Sequence, residues 1–304
     1  MKWVKYFDIL YTWLTRKEKD ALREIRREYE EVARRITTQL AMVYKNIDGG
    51  KLSYQDIRAF REMERLKGRL TASASRLGQH NRKVISKLLD ESYDLSYGMM
   101  SYAVDMATER TLEGKSPRLP ELLALNDENG IEKLRLKGSL EKSREKITKG
   151  IQQAIANGFE QGMTFQQMAK HIEHVFEMDY NRAVTIAETE VHRIREKASH
   201  DSAQNAQNQG IIMRKQWNNV NDERVRKTRN SNHVVLQGQQ RALNEPFDLG
   251  YGITAPYPGQ SGTPQNDIRC RCFASYTVEG VQNLNVADNE EALMRDYEAW
   301  RKNN

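Results

Sequence analysis

Two cysteines are all that the 304-residue chain contains, and they stand two apart at Cys270 and Cys272. A thiolate is a nucleophile and a soft metal ligand, and a disulfide between positions this close is strained. If the segment is extended, alternation puts both sulfurs on one face. Imidazole is the usual companion ligand, and His233 lies upstream in the same stretch. A structural zinc ion needs four such donors in a tetrahedron. Cys270, Cys272 and His233 would supply three, with Asp222 or His192 as the fourth. Paired zinc cysteines are more often separated by roughly two to four residues. Two half-buried thiols packing as small hydrophobes are therefore the competing reading.

Other chemistry-bearing residues are weaker candidates. His171, His174 and Glu177 share a helical face, but nothing in sequence completes a metal site there. Glu188 and Glu190 are two apart on a helix and point in different directions, so they do not converge on one substrate. Glu188 and His192, four apart, can pair as a carboxylate orienting an imidazole, yet no nucleophile accompanies them. A structural role fits better: a carboxylate of this helix forking with Arg224 or Arg226 in the following loop. Lys227, Arg229, Arg269 and Arg271 add to the positive charge of that region and suit phosphates or an acidic partner. No Walker loop, dinucleotide fingerprint or Gly-x-Ser-x-Gly elbow is present, which favours a non-enzyme.

The elements that must position these groups run from residue 180 to 276. Ala183, Ile186, Ala187, Val191, Ile194 and Ala198 recur at helical spacing. Residues 211–217 alternate as a strand, with Ile211, Met213, Lys215 and Trp217 on one face. Asn218, Asn219, Asn221 and Asp222 form a turn cluster, and Pro256, Pro258 and Gly259 punctuate a long loop. Residues 268–276 read as a closing strand with Cys270, Cys272, Ala274 and Tyr276 on one side.

In order and spacing, these residues resemble the phage Mu F-like minor head proteins, the phage head morphogenesis family. The resemblance rests on Glu188-Thr189-Glu190, Lys215-Gln216-Trp217, Asp222-Glu223-Arg224-Val225-Arg226, His233 with Leu236 and Gly238, Tyr257-Pro258-Gly259 and Arg269-Cys270-Arg271-Cys272. It covers about a third of the chain strongly and reaches back more loosely to residue 150. The family has arginine where this chain has Glu188, and asparagine where it has Arg269.

Upstream, Leu22, Ile25, Tyr29, Val32, Ile36, Leu40 and Val43 form a heptad-like seam in a charged helix over 16–47. Asp48-Gly49-Gly50 ends it, Ser53 caps a second helix, and residues 79–112 form a third. The Tyr93, Tyr97, Met99, Met100 and Tyr102 cluster reads as core rather than as a partner surface. Gly114 to Pro120 breaks the pattern. A helix over 139–160 follows, then a Thr164/Gln167 capping box, a helix over 165–176 and a break near Asp179. The aromatic stripe of residues 1–14 reads as a docking helix or core, in preference to a helix lying on a membrane surface. The expected fold is α+β: a helical region over 1–115, a mixed domain of helices on a small sheet over 116–280, and a helical tail over 281–304.

Charge is dense in both signs, 48 basic against 42 acidic residues, for a net +6. With mean hydropathy −0.81 this suits long helices with exposed faces. No apolar run reaches the length of a membrane span, and no signal peptide is visible. Two cysteines point to a reducing compartment. The resemblance implies a low-copy procapsid component assembled in the host cytoplasm and held in the virion. It would contact the portal and other capsid or scaffolding proteins, and possible viral DNA contact follows from the same likeness. The alternatives are a DNA-binding protein without sequence preference and a metal-dependent enzyme acting on nucleic acid.

Overall fold

The computed structural model describes residues 2–45, 47–108, 136–279 and 290–303, with side chains from Thr12 onward. The side chains of the aromatic residues before Thr12, and the break at Gly114 to Pro120, lie outside the described set. Four long helices come first: α1 (Lys2–Tyr44), α2 (Ile57–Thr108), α3 (Leu136–Glu160) and α4 (Phe165–Asn208). Seven short strands follow: β1 (Met213–Asn218), β2 (Lys227–Thr228), β3 (Ser231–Asn232), β4 (Gln240–Ala242), β5 (Phe247–Gly250), β6 (Ile253–Ala255) and β7 (Phe273–Val278). A single helical turn, α5 (Pro264–Asp267), precedes β7, and α6 (Glu290–Asn303) follows it. The fold is α+β.

The helices are longer than their punctuation suggests. The second and third expected helices are one 52-residue helix, α2. Gly68 and Gly78 lie in its interior, where glycine costs about 1 kcal/mol each. The stripe Met63, Leu66, Leu70, Ala74, Leu77, Val84 and Leu88 stays buried across both, and that continuous burial outweighs propensity. Its cap is Asp56, whose Oδ1 accepts the Ala59 N–H at 2.9 Å, not Ser53. The Thr164/Gln167 capping box forms as expected, with the Thr164 N–H on Gln167 Oε1 at 2.9 Å. The helix it starts runs unbroken to Asn208.

Asp179 does not break α4, because its carboxylate has partners inside the protein. Tyr29 Oη donates to it at 2.6 Å, the Ser143 hydroxyl donates too, and Asn81 Nδ2 donates to Tyr29 Oη at 2.9 Å. A buried carboxylate so supplied stays in the helix instead of turning out to solvent.

Packing groups the segments differently from the linear division at 115 and 280. One compact unit takes Lys19–Ser86 and Arg135–Ala187. It is a helical bundle, with Ile25, Val32, Ile36, Met63, Leu70, Ile151, Met168 and Ile172 in its core. The other takes Met1–Glu18, Lys87–Leu134 and Glu188–Asn304. Its sheet is antiparallel in the order β4-β1-β7, with Trp217 opposite Ala274 and Lys215 opposite Tyr276. The Tyr93 to Tyr102 cluster is core, as read from its spacing: Met99 and Met100 are fully buried and pack with Trp217, Phe247, Cys270, Cys272 and Tyr276.

The closing strand starts later than expected. Residues 268–272 lie outside it, since α5 ends at Asp267 and Arg269 has φ +54°. Even so, Cys270, Cys272, Ala274 and Tyr276 are all buried, as the alternation implied.

Candidate metal centre

The second half of α4 is buried nearly all round. Beside the apolar stripe, Glu190, His192, Arg195 and Glu196 are buried, and His200 is nearly so. His192, Glu196 and His200 stand at four-residue steps and therefore on one face. Glu196 Oε2 accepts the Ala274 N–H at 2.8 Å, so this polar face holds the first part of β7. Burial pushes the Glu196 carboxyl up to about 8, and Arg195 and the Ala274 N–H oppose it. The next turn of the helix carries His200, and burial drives its imidazole down to about 3, helped by Lys215 and Lys197. Lys215 on β1 is 1% exposed. Its ammonium donates to the Pro256 carbonyl at 2.8 Å and lies 5.1 Å over the Phe247 ring, and burial lowers it to about 8.

At the end of this face the three expected ligands converge. His233 Nδ1 lies 3.4 Å from Cys272 Sγ and 3.7 Å from Cys270 Sγ. Among the described residues, these three form a group whose ligand atoms all fall within 4.8 Å of one another, and all are buried. The imidazole is oriented from behind. Asn266 Nδ2 donates to Thr263 Oγ1 at 2.8 Å, which leaves Asn266 Oδ1 to accept from His233 Nε2 at 3.1 Å. That bond puts the ring proton on Nε2 and aims the Nδ1 lone pair at the sulfurs. The Cys270 thiol is drawn well below the ordinary thiol range, chiefly by donation from Cys272, with His192 and His233 adding to it. Cys272 is pushed up by the same sharing.

Two further N–H groups border the sulfurs. The His192 side chain lies beside Cys270, and its Nε2 has no hydrogen-bond partner. The indole Nε1 of Trp217 faces Cys272 and likewise has no closer partner. Gly259 explains why the His192 ring sits where it does. A Cβ there would come within 2.9 Å of His192 Cδ2, and φ is +83°. The Gly259 carbonyl accepts from Arg193 Nε at 3.0 Å. The Tyr-Pro-Gly motif is thus a close backbone approach that only glycine permits. Gly238, at φ +79°, similarly lets its N–H reach the Trp217 carbonyl at 2.8 Å.

The charged motif residues pair differently from expectation. The arginine–carboxylate fork is Arg271 on Asp222, at 2.6 Å for one nitrogen with the second nitrogen on the other oxygen. Arg271 holds the Asp222 carboxyl down to about 2. Asp222 is consequently committed to Arg271 and lies outside the group of three. Arg226 ties the loop instead to the Ile268 carbonyl, and Arg224 lies exposed, 3.6 Å from Asp222. Glu190 pairs along its own helix with Arg193 at 3.2 Å. Glu188 takes Arg269 at 2.7 Å, not His192. His171 and His174 are exposed and join no such group among the described residues.

The two departures from the family pattern, Glu188 and Arg269, are thus partners of each other. Arg269 also occupies the left-handed region, which asparagine tolerates far better than arginine. Exposed ion pairs contribute about 0.2–1 kcal/mol, and left-handed strain costs about 1 kcal/mol or more. Arg269→Asn is therefore expected to leave the protein equally stable or more stable by up to about 1 kcal/mol in urea unfolding. A loss larger than that would show that the ion pair dominates.

Residues 149–275, which span this site, match the family described as Phage Mu protein F like protein. The match covers less than half of the chain, and over that stretch the chain is similar to this family. Minor head protein GP7 of Bacillus phage SPP1 is 27% identical over 308 residues, covering 98% of this chain and 95% of that protein. NAD(+)–arginine ADP-ribosyltransferase EFV of Enterococcus faecalis is 27% identical over 166 residues, which is 55% of this chain and 33% of that enzyme. The chain therefore spans only a third of the length of that second relative. No solved structure matches.

Sequence reasoning found the cysteine pair, His233 and the motif glycines, but it passed over Glu196, His200 and Asn266. The signal for the first two was available: a His-Glu-His series at four-residue steps on a helix whose remaining face is already apolar.

Proposed function

We propose that this chain is a minor head protein of a tailed bacteriophage that works in head morphogenesis, docks at the portal vertex inside the capsid and contacts the packaged DNA. The observation that carries this reading is the end-to-end likeness to a minor head protein, 98% of one chain against 95% of the other. The long helices, with one polar face each, suit docking onto other capsid or scaffolding proteins. Among the described residues no helix is long and apolar enough to cross a membrane. A non-enzymatic role is supported by the burial of the thiols and of His233, each at most 3% exposed, which denies a substrate direct access to them. The region shared with the transferase covers a minor part of that enzyme, so we read it as the head-protein module.

Portal docking is tested by co-expressing the chain with the portal protein of the same phage and following both through size-exclusion chromatography. Co-elution is expected, and separate elution at micromolar concentration would overturn it. For DNA, the pairings sort the cations. Arg269 and Arg271 each have a carboxylate partner, while Lys227 and Arg229 are exposed around the β2–β3 turn. Lys227→Ala/Arg229→Ala is expected to flatten the salt dependence of binding to duplex DNA by up to about two counterions, at about 0.9 per phosphate contact. Arg271→Ala is expected to lower stability and leave the slope alone. Binding that does not respond to salt would remove DNA from the reading.

A further inference from the structure

We propose that His192, His233, Cys270 and Cys272 bind one zinc ion in a closed tetrahedral site that staples α4, the segment after β3 and the entry to β7. The geometry around the ligand atoms supports it. In a tetrahedron with zinc–sulfur bonds of about 2.3 Å and zinc–nitrogen bonds of about 2.0–2.1 Å, ligand atoms lie on the order of 3.3–3.8 Å apart. The His233-to-sulfur separations of 3.4 and 3.7 Å already have that size. His233 presents a lone pair because Asn266 holds its other nitrogen, the outer-shell arrangement common to metal-ligating histidines. Two thiolates and imidazole are donors that select zinc over the harder divalent ions.

His192 supplies the fourth corner. It comes from a different element than the other three ligands, its side chain is buried beside Cys270, and its Nε2 has no hydrogen-bond partner. Gly259 packs against the Cδ2–Nε2 edge of the ring, and its lack of a side chain leaves that edge room. His192 is not among the three whose ligand atoms already lie within 4.8 Å of one another, so metal entry must draw its ring inward. Binding through Nε2 leaves the ring proton on Nδ1, and the 3.3 Å approach of Arg195 Nη2 to that atom must loosen. Trp217 completes the surroundings by directing its indole N–H at the Cys272 sulfur, as hydrogen-bond donors do around metal thiolates. A site with four protein ligands has no open position, so the ion holds the fold and performs no hydrolysis.

The test is the metal content of the tag-free protein by elemental analysis, with cobalt(II) titration of the metal-depleted protein. One zinc per chain is expected, and cobalt is expected to give the intense visible bands of a tetrahedral site together with sulfur-to-cobalt charge transfer. Cys270→Ser/Cys272→Ser should lose both. His192→Gln should weaken cobalt binding at least about tenfold, a change typical of losing a ligand or its support. If the parent protein contains no zinc and takes up no cobalt, the site is overturned, whether or not the cysteine variant folds. If His192→Gln binds cobalt with unchanged affinity and spectrum, the fourth ligand is overturned and the site is left with three protein donors.

Discussion

Trp217→Ala is expected to cost about 3–5 kcal/mol, the range for emptying a buried aromatic site. Trp217 is 1% exposed at the middle of the β4-β1-β7 sheet, opposite Ala274. Two rings meet it edge-on, His233 at 5.5 Å and Phe247 at 5.3 Å. Such pairs add about 0.5–1.5 kcal/mol beyond area burial. Its backbone is also committed: the N–H donates to the Gln239 carbonyl at 2.9 Å and the carbonyl accepts from Gly238. Truncation leaves a hole beside Cys270 and Cys272 that helix and sheet are too stiff to close. Trp217→Phe retains much of the ring contact and loses the indole donor, so about half that cost is expected. Guanidinium unfolding of both variants measures it. A loss below about 1 kcal/mol for the alanine variant would mean that the sheet is organised elsewhere.

How much of this could be read beforehand follows from the range of the interactions involved. Period-two alternation is local, so the face shared by Cys270, Cys272, Ala274 and Tyr276 was legible even though β7 begins only at Phe273. The capping box at Thr164 and Gln167 is local too, and it forms. The helix ends were misread where a tertiary partner overrides a local signal. Gly78 interrupts nothing because Leu77 and Val84 are held in a continuous core. Asp179 stays helical because Tyr29 and Ser143, far away in sequence, donate to it. The ion pairs were the least legible part. Which carboxylate takes Arg271 depends on where the Asp222 turn lies against the Cys270–Cys272 segment, and no spacing rule encodes that. The pairing of Glu188 with Arg269 needed both departures from the family pattern to be seen in three dimensions at once.

Glu196→Gln is expected to make stability less dependent on pH, and the sign can be worked out from the carboxyl. Burial raises it from 4.5 to about 8 in the folded protein. Between those two values the folded chain keeps a proton that the unfolded chain releases. Stability therefore falls as pH rises through that window and levels off above 8. The slope reaches at most about 1.4 kcal/mol per pH unit, so the accumulated loss at pH 7 is on the order of 3 kcal/mol. Glutamine removes the titration and keeps an oxygen for the Ala274 N–H. Parent and variant should therefore unfold alike near pH 4.5, with the variant ahead by on the order of 4 kcal/mol at pH 8. His200 works in the opposite direction, since its stabilising neutral form is lost as pH falls from 6.5 towards 3. Lys215 gains stability as pH rises from 8 towards 10.5. Both are present in the two proteins and cancel in the difference, provided both are measured in the same metal state. Parallel curves from pH 4.5 to 8 would show that Glu196 is ionised inside the protein, and the cost of that buried charge would then have to be met by Arg195.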